Sequence, residues 1–171
     1  AHIRNYISQI TKFSEAYFRF VPQQFLTFIG KESIVHVKLG DQVQQDMVIL
    51  VSNMRDFYRF SRKLTPKENF NFINSFLNRF GPVIRTHDGF VSRYLGAGIQ
   101  ALFPQQADQA LRAAIKMRRT LLEYNEHRAS MHYPPLDIGI ALHRGPLMLG
   151  VIGEEKRMEN SVISEHVSLV T

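Results

Sequence analysis

The chain of 171 residues contains no cysteine and no tryptophan. Without cysteine there is no disulfide to staple a small fold and no thiolate to hold zinc, so stability has to come from a packed core. No run of about 18 apolar residues occurs, which argues against a membrane-spanning helix. Residues 1–20 interleave charged and apolar side chains, unlike the basic, apolar and small-residue zones of a secretory signal. Internal repeats and low-complexity tracts are missing too. With 44% hydrophobic and 21% charged residues, the composition is that of a globular protein long enough to bury a substantial core.

Charge is the next constraint. The formal net charge of +6 permits attraction to nucleotides, nucleic acid or acidic lipid. The cations, however, are dispersed among Asp and Glu, with short clusters only at residues 59–63 and 116–119. That pattern reads as a solvated basic surface, and no nucleic-acid partner is expected. The seven histidines are scattered without ligand spacing, and His143 reads as a structural residue in a strand turn.

Hydrophobic periodicity divides the chain into a helical lead-in, 1–46, and a domain, 47–171. In "AHIRNYISQITKFSEAYFRF" the residues Ile3, Tyr6, Ile7, Ile10, Phe13, Tyr17 and Phe20 approach a helical stripe. Pro22 then opens a short second helix, "PQQFLTFIG", closed by Gly30. From Met47, "MVILVSN" reads as a buried strand. Thr65-Pro66 caps a helix whose apolar face is Phe70, Ile73, Leu77, Phe80 and Ile84. Asp88-Gly89 turns into "FVSRYLGAGIQALF", two strands joined at "LGAG". A second helix spans about 107–128, with Leu111, Ala114, Met117, Leu121 and Leu122 expected inside. "LDIGIAL" and "LMLGVIG" then read as two further strands separated by "HRGP". The expected fold class is α/β (α+β): a ferredoxin-like split βαβ core with a mixed antiparallel sheet and helices on one face, preceded by the helical lead-in.

Several of these stretches resemble one family, the class III nucleotide cyclase catalytic domain. "LVSNMRDFY" is similar to the family's strand-and-turn signature, "RYLGAG" to its second signature, "HRGPLMLGVIG" to its His-x-Gly strand, and "RMENSVISEHVS" to its last motif. "LTPKE" and "HDGFVSRYLG" fit in order and spacing. The segment "FVPQQFLTFIGKESIVHVKLGD" resembles the one found before such domains in bacterial receptor cyclases. The resemblance implies a signal-transduction protein cut from a longer chain, with a sensor upstream. It places the domain in the cytoplasm, whether free or as the cytoplasmic portion of a membrane-anchored receptor. A diguanylate-type synthase shares the topology, but "LGAGI" lacks that family's acidic pair.

The resemblance also assigns positions. The family makes cyclic AMP or cyclic GMP by joining the 3′-hydroxyl of a nucleoside triphosphate to its α-phosphorus, using two divalent ions bridged by an Asp on each of two strands. Those positions are Asn53 and Ala97 here. Neither is a carboxylate, so loss of the metal pair, no cofactor and no confident catalytic residue are expected. Asp56 is the nearest carboxylate and stands where the family has Gly. Base-reading positions fall on Arg93 and Ser161, the ribose-orienting position on Ser168, and the phosphate turn on the backbone of Met54, Arg55, Asp56, Phe57 and Tyr58. The expected function is a regulatory or dimerising cyclase-homology module, pairing with itself or with another cyclase-type domain and leaving room for weak ATP or GTP binding. Two alternatives stay open: an active cyclase with atypical ligands, requiring Mg²⁺ or Mn²⁺, and a nucleotide sensor that needs no metal.

Overall fold

A computed structural model describes residues 2–104 and 106–165. The elements are α1 (His2–Tyr17), α2 (Gln23–Phe28), a 3-10 turn (Ile34–His36), β1 (Gln42–Met54), α3 (Phe57–Ser61), α4 (Pro66–Arg85), β2 (Phe90–Leu95), β3 (Gly98–Phe103), α5 (Ala107–Ser130), β4 (Ile138–Glu154) and β5 (Arg157–Ile163). The strands join in the order β2-β3-β1-β4-β5. Strand β3 pairs antiparallel with both β1 and β2, so β1 and β2 run parallel on either side of it. This is the split βαβ arrangement expected from the sequence.

Two compact units divide the chain: Ala1–Gln44 with Met148–Val162, and Gln45–Leu147 with Ile163–Thr171. In the second unit α4 and α5 cover one face of the sheet. Val48, Leu50 and Met54 of β1 and Ala97, Ile99, Ala101 and Phe103 form one core with Phe76, Phe80 and Ile84 of α4 and with Ala113 and Met117 of α5. The alternation of inward residues along β1 and β3 is what a strand with one helix-covered face requires. The first unit contains α1 and α2, with Phe25 and Leu26 buried. Its backbone is closed by Gly40 N–H donating to Val151 O and Val151 N–H donating to Asp41 O, at 3.0 and 2.9 Å. Lys31 Nζ lies 3.1 Å from Asp41 Oδ2.

Four sequence expectations are corrected. Strand β1 begins at Gln42 rather than Met47, because residues 42–46 alternate in exposure as polar strand positions do and apolar content alone misses them. "LDIGIAL" and "LMLGVIG" are one continuous strand, β4; "HRGP" stays extended, although Pro146 has no N–H to give to the ladder. Phe70 is 72% exposed, since the buried face of α4 is centred on Phe76 and Phe80. On α5 the buried face is Ala110, Ala113, Met117, Leu121, Tyr124 and Arg128, which leaves Leu111 and Leu122 exposed. Two small alanines on that face allow the helix axis to come close to the sheet, and larger side chains would hold it away.

Two local devices position the segment after β1. Helix α4 starts with a capping box: Glu68 N–H donates to Thr65 Oγ1 at 3.3 Å, and Thr65 N–H donates to Glu68 Oε2 at 2.7 Å. The turn after Met54 is tied to the start of β4, where Arg55 N–H donates to Asp137 O at 2.9 Å. The Asp137 carboxylate accepts from Arg118 at 2.7 Å and pairs with Arg55 Nε at 3.3 Å. The hydrogen bond from Arg118 is the main reason its carboxyl titrates below the usual carboxylate range, with backbone donation from Ile138 N–H adding to it.

Replacing Thr65 by Ala is expected to lower unfolding free energy by about 1 kcal/mol in urea titrations, with Thr65→Ser retaining most of it. Asp137→Asn is expected to destabilise near pH 7 by less than about 1 kcal/mol, because the group is solvent-exposed and screened. A depressed native pKa stabilises above the unfolded carboxylate's pKa and loses that contribution as pH falls through the native one. Thermal melts of the two proteins should therefore converge at acid pH.

Candidate functional site

The site is built by the end of β1 and the β2–β3 hairpin. On β1, inward Val48, Leu50 and Met54 leave Asn53 facing away from the helices, and it is exposed. The pairing of Ser52 with Ile99 brings Asn53 alongside Gly98, the first residue of β3. A Cβ added at Gly98 would stand 2.7 Å from Ser52 O and 3.4 Å from Asn53 Oδ1. Glycine is what lets the strands meet this closely.

Ala97 immediately precedes that contact. Gly96 and Ala97 are the two turn residues between β2 and β3, with Gly96 at φ +62°. A left-handed first residue is the feature of the II′ turns that join twisted strands. Ala97 itself is 3% exposed and belongs to the apolar core with Met54 and Ile99. Asn53 and Ala97 are thus brought to one corner of the sheet. Asn53 contributes a neutral amide oxygen there and Ala97 a buried methyl group. This pair does not fit two divalent cations, which require anionic oxygen donors. Among the described residues no group of three or more His, Asp or Glu has the arrangement to hold a metal ion.

The turn after β1, residues 54–58, is only partly open. Arg55 N–H is committed to Asp137 O, and Met54 is a buried strand residue. Phe57 and Tyr58 open α3, where first-turn N–H groups have no acceptor within the helix. The Phe57 ring stacks on Phe72 at a centroid distance of 6.4 Å, and Tyr58 is exposed with the Arg62 guanidinium 5.8 Å from its ring centre. Asp56 is the N-cap of α3 at φ 54°, ψ 22°, with no capping hydrogen bond from its side chain. Left-handed backbone explains why glycine suits this position and why Asp, which tolerates that region, can replace it.

The remaining assigned residues are less concentrated. Arg93 is exposed on β2 opposite Gln100, at an irregularity in the β2–β3 register that follows Val91. Ser161 is buried on β5, in the unit that contains α1 and α2. Ser168 lies outside the described residues. His143 is half-buried on β4.

Sequence reasoning missed three contributors. Gly98 is required by the close approach of the Ser52 carbonyl, and only the strand register shows it. Arg118, on α5, and Asp137, just before β4, hold the turn after β1. With Arg55 they line a shallow cleft of about 520 Å³ whose apolar wall includes Leu111, Ile115 and Ile140. The exposed Leu111 therefore has a place beside the site. Nothing in a linear sequence marks that triad, because its members are brought together only by the crossing of α5 over the sheet.

Comparison with known proteins bears on this geometry. The chain is 31% identical over 169 residues to an adenylate cyclase of Anabaena cylindrica, covering 96% of this chain and 34% of the relative. It thus spans about a third of that relative's length. Among solved structures, the guanylyl cyclase Cya2 is 32% identical with a TM-score of 0.66, covering 78% of this chain and 70% of its own. A bacterial light-regulated adenylyl cyclase superposes with a TM-score of 0.80 at 21% identity, over 98% of this chain and 50% of its own, a likeness of fold. The family model described as the adenylate and guanylate cyclase catalytic domain matches residues 39–169. With β1, the β2–β3 hairpin and the intervening helices all inside that span, the chain belongs to the adenylate and guanylate cyclase catalytic domain family.

Proposed function

We propose that this domain is a regulatory, dimerising member of its family in which metal-dependent cyclisation is lost. The observation that carries the reading is the chemistry of one corner: a neutral Asn53 beside a buried Ala97 where two carboxylates would have to bridge a pair of cations. Cyclisation of a nucleoside triphosphate concentrates negative charge at the α-phosphorus and the departing pyrophosphate. Divalent ions neutralise that charge, and uncompensated they do not stay bound. Asp56 supplies a carboxylate three residues after Asn53, but it sits in the left-handed cap of α3, beyond the end of the strand.

The intact core supports a retained structural role. The apolar cluster, the register of β1 on β3 and the hairpin turn are complete, so the surface the family uses for pairing can persist after the charge is removed. The natural partner is a second cyclase-type domain, either a copy of this chain or an intact relative. Signals from the lead-in would reach that partner as a change in pairing geometry.

Purified protein incubated with ATP or GTP and Mg²⁺ or Mn²⁺ is expected to form cyclic nucleotide at least about 10³-fold more slowly than an intact relative. Turnover that disappears on Asp56→Ala would establish instead an active cyclase with a displaced ligand. Saturable heat on titration with ATP or GTP, undiminished by a chelator, would establish a nucleotide sensor. Sedimentation and co-purification with an intact cyclase domain test the pairing itself, and a strictly monomeric chain that binds no such domain overturns it.

A further inference from the structure

Cations that are dispersed along the chain are gathered by folding around one hollow. Arg112, Lys116 and Arg119 stand four and three residues apart on one flank of α5, where they border a cavity of about 410 Å³. Its other wall is the C-terminal end of α4. Pro82, Val83 and Ile115 give the hollow an apolar lining, and Thr86 and His87 border it beside them. All of these residues belong to the second compact unit, and none lies in the corner of Asn53 and Ala97 or in the turn after β1.

Two ordinary uses of such cations are not made here. Lysine and arginine near a helix C-terminus commonly hydrogen-bond its last carbonyls. At the end of α4 those carbonyls are already occupied. Pro82 O accepts Thr86 N–H at 2.9 Å, Val83 O accepts the Thr86 hydroxyl at 3.1 Å and His87 Nδ1–H at 2.7 Å, and Ile84 O accepts Gly89 N–H at 3.1 Å. Cations on a helix also pair with acids four residues away. Asp108 stands four residues before Arg112 and Glu123 four after Arg119, yet among the described residues neither arginine makes an ion pair, and Lys116 meets Glu123 only at 3.9 Å. Like charges at spacings of three and four destabilise a helix, so the stripe is unfavourable until an anion offsets it.

We infer that the hollow between α4 and α5 binds a compact, phosphate-bearing small molecule, with Arg112, Lys116 and Arg119 around its phosphate and Pro82, Val83 and Ile115 against its apolar part. Three cations match a phosphomonoester dianion or a diphosphate better than a single carboxylate. The planar fork of each guanidinium also suits paired phosphate oxygens. The volume is that of an ordinary small-ligand site. An extended anionic surface fits less well, because Asp108, Glu123 and Glu126 are exposed on the same helix and would meet a bilayer, a nucleic acid or an acidic protein with like charge. A compact anion inside the hollow avoids them. The site is separate from the corner where metal ligands are missing, so it stands whether or not the domain forms cyclic nucleotide.

The test titrates inorganic phosphate and pyrophosphate into the whole chain at a fixed ionic strength of about 0.1 M, followed by calorimetry and by backbone amide NMR shifts. Saturable binding of pyrophosphate is expected, with shifts at Thr86, His87 and residues 112–119. The double variant Arg112→Gln/Arg119→Gln is expected to bind at least about tenfold more weakly, the loss of charge-assisted hydrogen bonds. Lys12→Gln/Arg19→Gln removes the same charge from the lead-in and is expected to stay within about twofold of the unsubstituted chain, since isolated exposed charges contribute little. The first variant should melt no lower than the unsubstituted chain, because a repulsion is relieved; should it fail to fold, the amide shifts of the unsubstituted chain decide. Shifts confined to residues 54–58, equal losses in the two charge variants, or no saturation up to about 20 mM pyrophosphate would each overturn the inference. Binding to phosphatidic acid vesicles without any response to pyrophosphate would assign this face to a membrane and overturn it as well.

Discussion

Strand β1 can occupy its place beside β3 in only one register, and the site follows from that constraint. With Ser52 opposite Ile99, the inward set on β1 is Val48, Leu50 and Met54, which meets the core under α4 and α5. A slip of one residue would exchange the faces, sending Asn53 into the apolar core and Leu50 to the opposite side. Burial of the Asn53 amide without a partner is the cost that opposes such a slip. Asn53 is consequently held outward beside Gly98, and Ala97 is held in the turn, whatever chemistry these two side chains can or cannot perform.

Geometry and chemistry are separate matters at this corner. The forces that fix the corner are apolar burial, backbone pairing and a turn with a left-handed glycine, none of which depends on a carboxylate. Electrostatic demands at a metal pair are of another kind. They require charge of one sign at two points, and a neutral amide and a methyl group satisfy the packing while failing that requirement. Around the turn after β1, the Asp137 carboxylate pairs with Arg55 and Arg118, and Arg55 N–H donates to the Asp137 carbonyl. The turn is braced from within the domain.

Where linear reading succeeded and failed follows from which forces are local. The hairpin between β2 and β3, the helix cap at Thr65 and the apolar strand at residues 48–51 rest on neighbouring residues, and each is legible in the sequence. The sequence places the large leucines Leu111 and Leu122 on the inner face of α5, whereas close contact with the sheet selects Ala110 and Ala113. "HRGP" looked like a break because Gly and Pro usually are, yet β4 passes through it as extended backbone. Phe70 has helical spacing on α4 but lies near its N-terminus, outside the buried face centred on Phe76 and Phe80.

By itself the sequence determined the fold class, the main helices and the β2–β3 hairpin, the family, and the absence of an acidic side chain at positions 53 and 97. Those are properties of residue identity and short-range periodicity, and they need no knowledge of what lies across the sheet. Tertiary structure alone decided that Gly98 must be glycine beside Asn53, that Ala97 is enclosed by the core, and that Arg118 and Asp137 brace the turn at Arg55. Each of these is a contact between segments far apart in the chain, set by strand register and helix crossing, and such contacts leave no mark on the local sequence.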